Sequence, residues 1–123
     1  MNRIELLELI NSIPVDKKEY TVLSTGALVV RGIWEEAHDL DLAVTEKGLE
    51  EFKKHYDVKP KNEKWYIVND LIECCIDPMD DKRELVEGLY LQDINNYYEF
   101  LITAKREKDI PKIEVVEKYM KGE

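Results

Sequence analysis

Hydrophobic positions along this chain recur at two spacings, one near 3.6 residues and one of two, and the switches between them mark out helices and strands. Ile4, Leu7, Leu9 and Ile10 fall near helical spacing ahead of Pro14, which predicts a first amphipathic helix over residues 2–13 that covers a sheet. Tyr20, Thr21, Val22 and Leu23 favour extended backbone and predict the first strand, which runs into a turn at Ser24-Thr25-Gly26. Residues 39–44 then alternate with period two. Thr45 is placed to cap a helix over residues 46–56, whose apolar stripe is Leu49, Phe52 and Tyr56. The polar run 59–63 reads as a loop, and residues 65–68 and 71–76 read as strands joined by an Asn69-Asp70 hairpin turn.

The last third is less regular. Residues 78–82 form an acidic turn, and 84–91 fit either a helix or a short strand, with Gly88 weighing against the helix. Asp93 is placed to cap a helix over 94–106, built on Ile94, Tyr97, Tyr98, Leu101 and Ile102. Asp109 is placed to cap a final helix ending at Met120, with Pro111 in its first turn and Ile113, Val116 and Tyr119 facing inward. The expectation is an α/β chain of strands backed by helices, with a helical C-terminus.

Composition narrows the function classes. A chain of 123 residues is expected to be one domain, 1–123, with a single core. The apolar runs are too short to span a membrane. An acid inside the first apolar stretch argues against a secretory signal, so a cytoplasmic protein is expected. Cys74 and Cys75 are adjacent and point to opposite faces of a strand, which suits neither a disulfide nor a metal pair. A net charge of −9 argues against a broad nucleic-acid footprint and favours a small-molecule or protein substrate.

The candidate chemistry lies in the period-two stretch. Leu40, Leu42 and Val44 turn one way and Asp39 and Asp41 the other, with α-carbons roughly 6.6 Å apart, so the two carboxylates can converge on one ion. Paired acids repel, and a divalent cation removes that penalty; an all-oxygen donor set points to magnesium or manganese. The same alternation also describes a half-exposed strand with acids on its wet side. In the strand 71–76, Glu73, Cys75 and Asp77 share a face. If that face adjoins the Asp39 and Asp41 face, a neighbouring strand about 4.8 Å away brings Glu73 to the pair, with Asp77 as the competing third acid. Trp34 suits either the core or a site wall. His38, read as part of the strand, should face away from Asp39, and Arg31 suits either a phosphate contact or a helix-end cap.

Ser24-Thr25-Gly26-Ala27-Leu28, followed by Asp39-Leu40-Asp41 and later by Ile72-Glu73-Cys74, resembles the signature of the nucleotidyltransferase superfamily, whose fold is shared with the palm of DNA polymerase beta. The likeness is to its small stand-alone prokaryotic members, and it implies their minimal α/β fold, a small mixed, mostly antiparallel sheet backed by helices. The join Arg106-Glu107-Lys108-Asp109 is similar to that family's Arg-x-Lys-Asp corner. The family usually has Gly-Gly or Gly-Ser where this chain has Ser24-Thr25. The resemblance implies a short helix over 27–30 ended by Gly32, a nucleotide site at Ser24, Thr25, Gly26, Arg31, Lys105 and Lys108, and magnesium held by Asp39, Asp41 and Glu73 as catalytic acids. It implies transfer of a nucleoside monophosphate from a triphosphate to an acceptor, with a small molecule, a protein and a tRNA end as the alternatives. The alternative is a catalytically inactive binding or regulatory module of the same fold, such as one partner of a toxin and antitoxin pair. Either would accommodate a homo-oligomer or a cognate protein partner.

Overall fold

A computed structural model describes residues 1–122 and contains one seven-stranded sheet. In chain order the elements are α1 (Arg3–Asn11), β1 (Tyr20–Val22), α2 (Ser24–Arg31), β2 (Leu40–Val44), α3 (Glu46–His55), β3 (Lys59–Pro60), β4 (Trp65–Ile67), β5 (Ile72–Ile76), β6 (Arg83–Val86), β7 (Leu89–Gln92), α4 (Ile94–Ala104) and α5 (Ile110–Met120). The strand order is β3-β4-β5-β2-β1-β7-β6. The β2–β5 and β1–β7 pairs are parallel, and the other four are antiparallel. This is the mixed, mostly antiparallel sheet that the resemblance implies, with the helical C-terminus that the periodicity predicts.

One face of the sheet is buried and the other is partly open. Leu6 and Ile10 of α1, Val29 and Val30 of α2, and Leu49 and Phe52 of α3 pack against Val22, Leu40, Leu42, Val44, Ile72 and Cys74. Strand alternation therefore sends Asp41, Ala43, Glu73 and Cys75 to the opposite face, where Leu23, Ala43, Cys75 and Met79 form a smaller cluster beside Trp65. α4 and α5 pack on α2 through Leu28, Ile94, Tyr97, Leu101 and Val116. Their joining corner overhangs the open face at its acidic end.

Local chemistry fixes the boundaries. Asn2 and Glu5 form a reciprocal capping box at α1, while Thr45 and Asp93 cap α3 and α4 through their side chains. α2 begins at Ser24 rather than Ala27, so Ser24-Thr25-Gly26 is the first turn of the helix and not a separate turn before it; Gly32 ends it in a left-handed conformation, as expected. Residues 59–63 are not wholly loop. Lys59–Pro60 adds an edge strand, a position where a residue without an N–H is tolerated. The ambiguous 84–91 stretch is the β6–β7 hairpin, turning at Glu87-Gly88 with both residues at positive φ.

Asp109 corrects an expectation. Its backbone is already helical, because a 3-10 turn over Glu107–Asp109 runs straight into α5, and its side chain makes no capping bond. A cap requires extended backbone, so the buried carboxylate is free to pair elsewhere.

Gly48 marks a tight joint where α3 meets the Glu19 backbone. A β-carbon there would lie 2.7 Å from the Glu19 carbonyl oxygen, with Thr45 Oγ1 at 3.2 Å. Glycine to alanine inside a helix ordinarily stabilises by about 0.5–1 kcal/mol. Here the backbone clash reverses the sign: Gly48→Ala is expected to destabilise by about 1–3 kcal/mol, read as a lowered midpoint in urea unfolding.

Candidate active site

The end of β2 nearest α4 opens into a cavity of about 690 Å³. Asp39 and Asp41 line one side, although β2 begins only at Leu40 and Asp39 lies just ahead of the strand, and Ser24 and Thr25 of the α2 first turn line the next. Arg106, Lys108 and Lys112 line it from the α4–α5 corner, and Trp34, Tyr97 and Phe100 add aromatic wall. An acidic strand end and a basic helix corner thus share one aqueous space.

Glu73 is the in-register partner of Asp41 across the parallel β2–β5 pair. Adjacent strands lie about 4.8 Å apart, so both carboxylates project from the same face as near neighbours. The consequence is electrostatic. Burial first, then the charges of Asp39 and Glu73, push the Asp41 carboxyl up to about 6. Lys61 opposes that rise: its Nζ donates to Glu73 Oε1 at 2.8 Å, and this bond to the carboxylate is the leading cause of the lysine's own upward shift. No three His, Cys, Asp or Glu side chains among the described residues are gathered as a metal-holding group, and Glu73, unlike Asp39 and Asp41, does not line the cavity. The oxygen donors nevertheless suit a hard cation, since the charges of Asp39 and Glu73 both bear on Asp41 and an added positive charge relieves that repulsion.

The nucleotide-binding expectations divide. Ser24, Thr25 and Lys108 line the cavity, whereas Gly26, Arg31 and Lys105 do not. Gly26 is buried in α2, where an added β-carbon would meet Val22 Cγ1 at 3.2 Å, so it serves close helix–strand packing. The left-handed residue in this turn is Ser24 (φ 54), whose N–H donates to Gln92 Oε1 at 3.0 Å. The Arg31 side chain is 1% exposed and bonds Glu84 and the Gln92 carbonyl, placing it under the β6–β7 hairpin. Lys105 ends α4 in a left-handed conformation and is exposed.

His38 departs from its expected orientation. β2 begins only at Leu40, so strand alternation does not govern His38, and it lines the same cavity as Asp39. Trp34 takes both expected roles, packing against the core and walling the cavity.

Lys112 was not singled out in the sequence, and Arg106 and the buried Asp109 were named there only in the Arg-x-Lys-Asp corner and as a helix cap, without a place in the site. Asp109 Oδ2 accepts from Arg106 Nε at 2.6 Å, and Lys112 Nζ lies 3.7 Å from Asp109 Oδ1. Lys112 Nζ also donates to Thr25 Oγ1 at 2.9 Å and sits 5.7 Å from the Trp34 ring centroid. A single buried carboxylate therefore holds two cavity cations.

With this geometry in view, comparison with solved structures places the fold. The chain superposes on the crystal structure of a "putative nucleotidyltransferase" from Thermotoga maritima with a TM-score of 0.58 and 18% sequence identity, covering 100% of this chain and 97% of the other. No protein-family profile and no curated protein matches the sequence. The chain has the nucleotidyltransferase fold. No helix among the described residues is long and apolar enough to cross a membrane.

Proposed function

We propose that this chain is a metal-dependent nucleotidyltransferase that moves a nucleoside monophosphate from a triphosphate to an acceptor hydroxyl, releasing pyrophosphate. The observation that carries this reading is the shared cavity, with Asp39 and Asp41 on one wall and Arg106, Lys108 and Lys112 on another. A triphosphate is a polyanion, and transfer at its innermost phosphorus concentrates negative charge. Three cations with the Ser24 and Thr25 hydroxyls suit the phosphates, and the acids suit the cation that accompanies them. The aromatic wall of Trp34, Tyr97 and Phe100 suits a base. In a chain of net charge −9, a cationic corner this localised fits a small anion better than a long polyanion.

Asp39, Asp41 and Glu73 would hold the metal. Bound there, magnesium or manganese supplies charge neutralisation for in-line displacement and lowers the pKa of an acceptor hydroxyl. Lys112 and Arg106, held by Asp109, orient phosphate oxygens. Glu73 would be the base that takes the acceptor's proton.

The likeness to the Thermotoga maritima protein supports the class through the fold. A second reading, a non-catalytic nucleotide-binding module, draws on the Glu73–Lys61 bond, which engages an acid that catalysis needs. Titration calorimetry with each of the four triphosphates separates the two. Binding of at least one, weakened tenfold or more by EDTA, is expected. Binding indifferent to EDTA favours the module, and no binding under either condition overturns both readings.

A further inference from the structure

We propose that Lys61 is a built-in competitor for the metal ion, occupying the third acid of the site and so setting the cation concentration at which the site fills. The proposal rests on the carboxylate reading given above. Its starting point is the placement of Lys61. The residue follows the edge strand β3, and its backbone N–H donates to the Trp65 carbonyl at 2.9 Å. Asn62 then tightens the turn, its side-chain oxygen accepting from the N–H groups of Lys64 and Trp65. From this anchored base the ammonium reaches Glu73 Oε1 at 2.8 Å.

The register explains why this lysine meets the site. Lys59 pairs with Ile67, Ile67 with Glu73, and Glu73 with Asp41, so one sheet face runs from the β3 edge to the acids. Lys61 lies two residues beyond Lys59 and so shares that face. It contributes one positive charge beside three negative ones. A divalent cation using both Asp41 and Glu73 must either displace that ammonium or sit next to a like charge. Breaking one partly exposed ion pair costs little, and the larger effect is the charge itself: without Lys61 the acids carry one more uncompensated negative charge. Together these correspond to about a tenfold change in cation affinity at low salt.

The test uses the full chain, stripped of metal and free of nucleotide, and follows manganese binding by electron paramagnetic resonance of the free ion. Lys61→Met keeps the length of the side chain and removes its charge; Lys61→Arg keeps the charge. The Lys61 side chain is 48% exposed, so both variants are expected to fold, which far-ultraviolet circular dichroism verifies. Lys61→Met is expected to bind manganese about tenfold more tightly than wild type, with Lys61→Arg near wild type and the gap narrowing as salt is added. If wild type binds and Lys61→Met binds equally or more weakly, the competitor role is overturned while the metal site stands. Tightening in Lys61→Arg to the level of Lys61→Met overturns it too, because charge would then be irrelevant. Binding by neither wild type nor Lys61→Met removes the metal site itself, and this proposal with it.

Discussion

Asp41→Asn is expected to lower magnesium-dependent nucleotide transfer about a thousandfold or more and, in the same molecule, to raise the melting temperature of the metal-free protein. The activity loss follows from the position of Asp41 between Asp39 and Glu73, where it is the half-buried member of the acid group. Asparagine offers one neutral oxygen in place of a carboxylate, and a thousandfold loss corresponds to about 4 kcal/mol of transition-state stabilisation. The stability gain has a separate origin. A carboxyl pushed up to about 6 by burial and by neighbouring acids is more easily protonated in the folded chain than in the unfolded one, where it titrates near 3.9. Folding is therefore favoured while Asp41 is protonated, and that contribution is lost as pH rises from about 4 through 6. Above pH 6 the ionised group is a standing cost. After allowance for solvent screening, asparagine relieves about 1–2 kcal/mol of it, a rise of about 3–8 °C. Differential scanning calorimetry in EDTA at pH 7.5 and pH 4 checks the sign: the gain belongs at the higher pH and vanishes at the lower. Turnover within tenfold of wild type, or a melting temperature that falls at pH 7.5, counts against the arrangement.

The acids were legible because a strand writes its geometry locally. Asp41 and Glu73 follow from period-two alternation, and the in-register β2–β5 pair then makes them neighbours, while Asp39 reaches the same cavity from just ahead of the strand. The opposite wall was only half legible. Which residues of the stretch 105–112 enter the cavity depends on a left-handed Lys105 that stops α4 and a 3-10 turn that aims Arg106, Lys108 and Lys112 inward. Nothing in residue spacing announces either conformation. The Glu87-Gly88 turn was missed for a related reason: a two-residue turn with both φ positive is normally signalled by Asn-Gly or Asp-Gly. Here Glu87 takes that backbone while its carboxylate bonds Arg3 of α1, so a tertiary contact overrides local preference. Lys61 could not be read at all, because its partner lies across an intervening strand at the sheet edge.

Lys112→Met is expected to weaken triphosphate binding about tenfold to a hundredfold and to leave binding of the corresponding nucleoside unchanged. The lysine side chain is 17% exposed and is fixed by three groups from three places: Thr25 in α2, Asp109 before α5, and the face of Trp34. Such a cation has little rotamer freedom left to lose on binding, so a charge-assisted hydrogen bond to phosphate delivers most of its strength, about 1.5–3 kcal/mol. Methionine preserves the packing along Trp34 and removes only the charge. Two controls sharpen the comparison. Lys105→Met removes a lysine of the same corner that is exposed and outside the cavity, and affinity is expected to stay within about twofold, the scale of an exposed charge. Asp109→Asn keeps the size of the buried group but loosens its hold on both Arg106 and Lys112, so its effect should again fall on the triphosphate and not on the nucleoside. Calorimetric titration of triphosphate and nucleoside into each variant reads the difference. Equal losses for both ligands in Lys112→Met would assign the residue to cavity shape instead of phosphate binding, and a loss in Lys105→Met as large as in Lys112→Met would place the phosphates on the outer side of the corner.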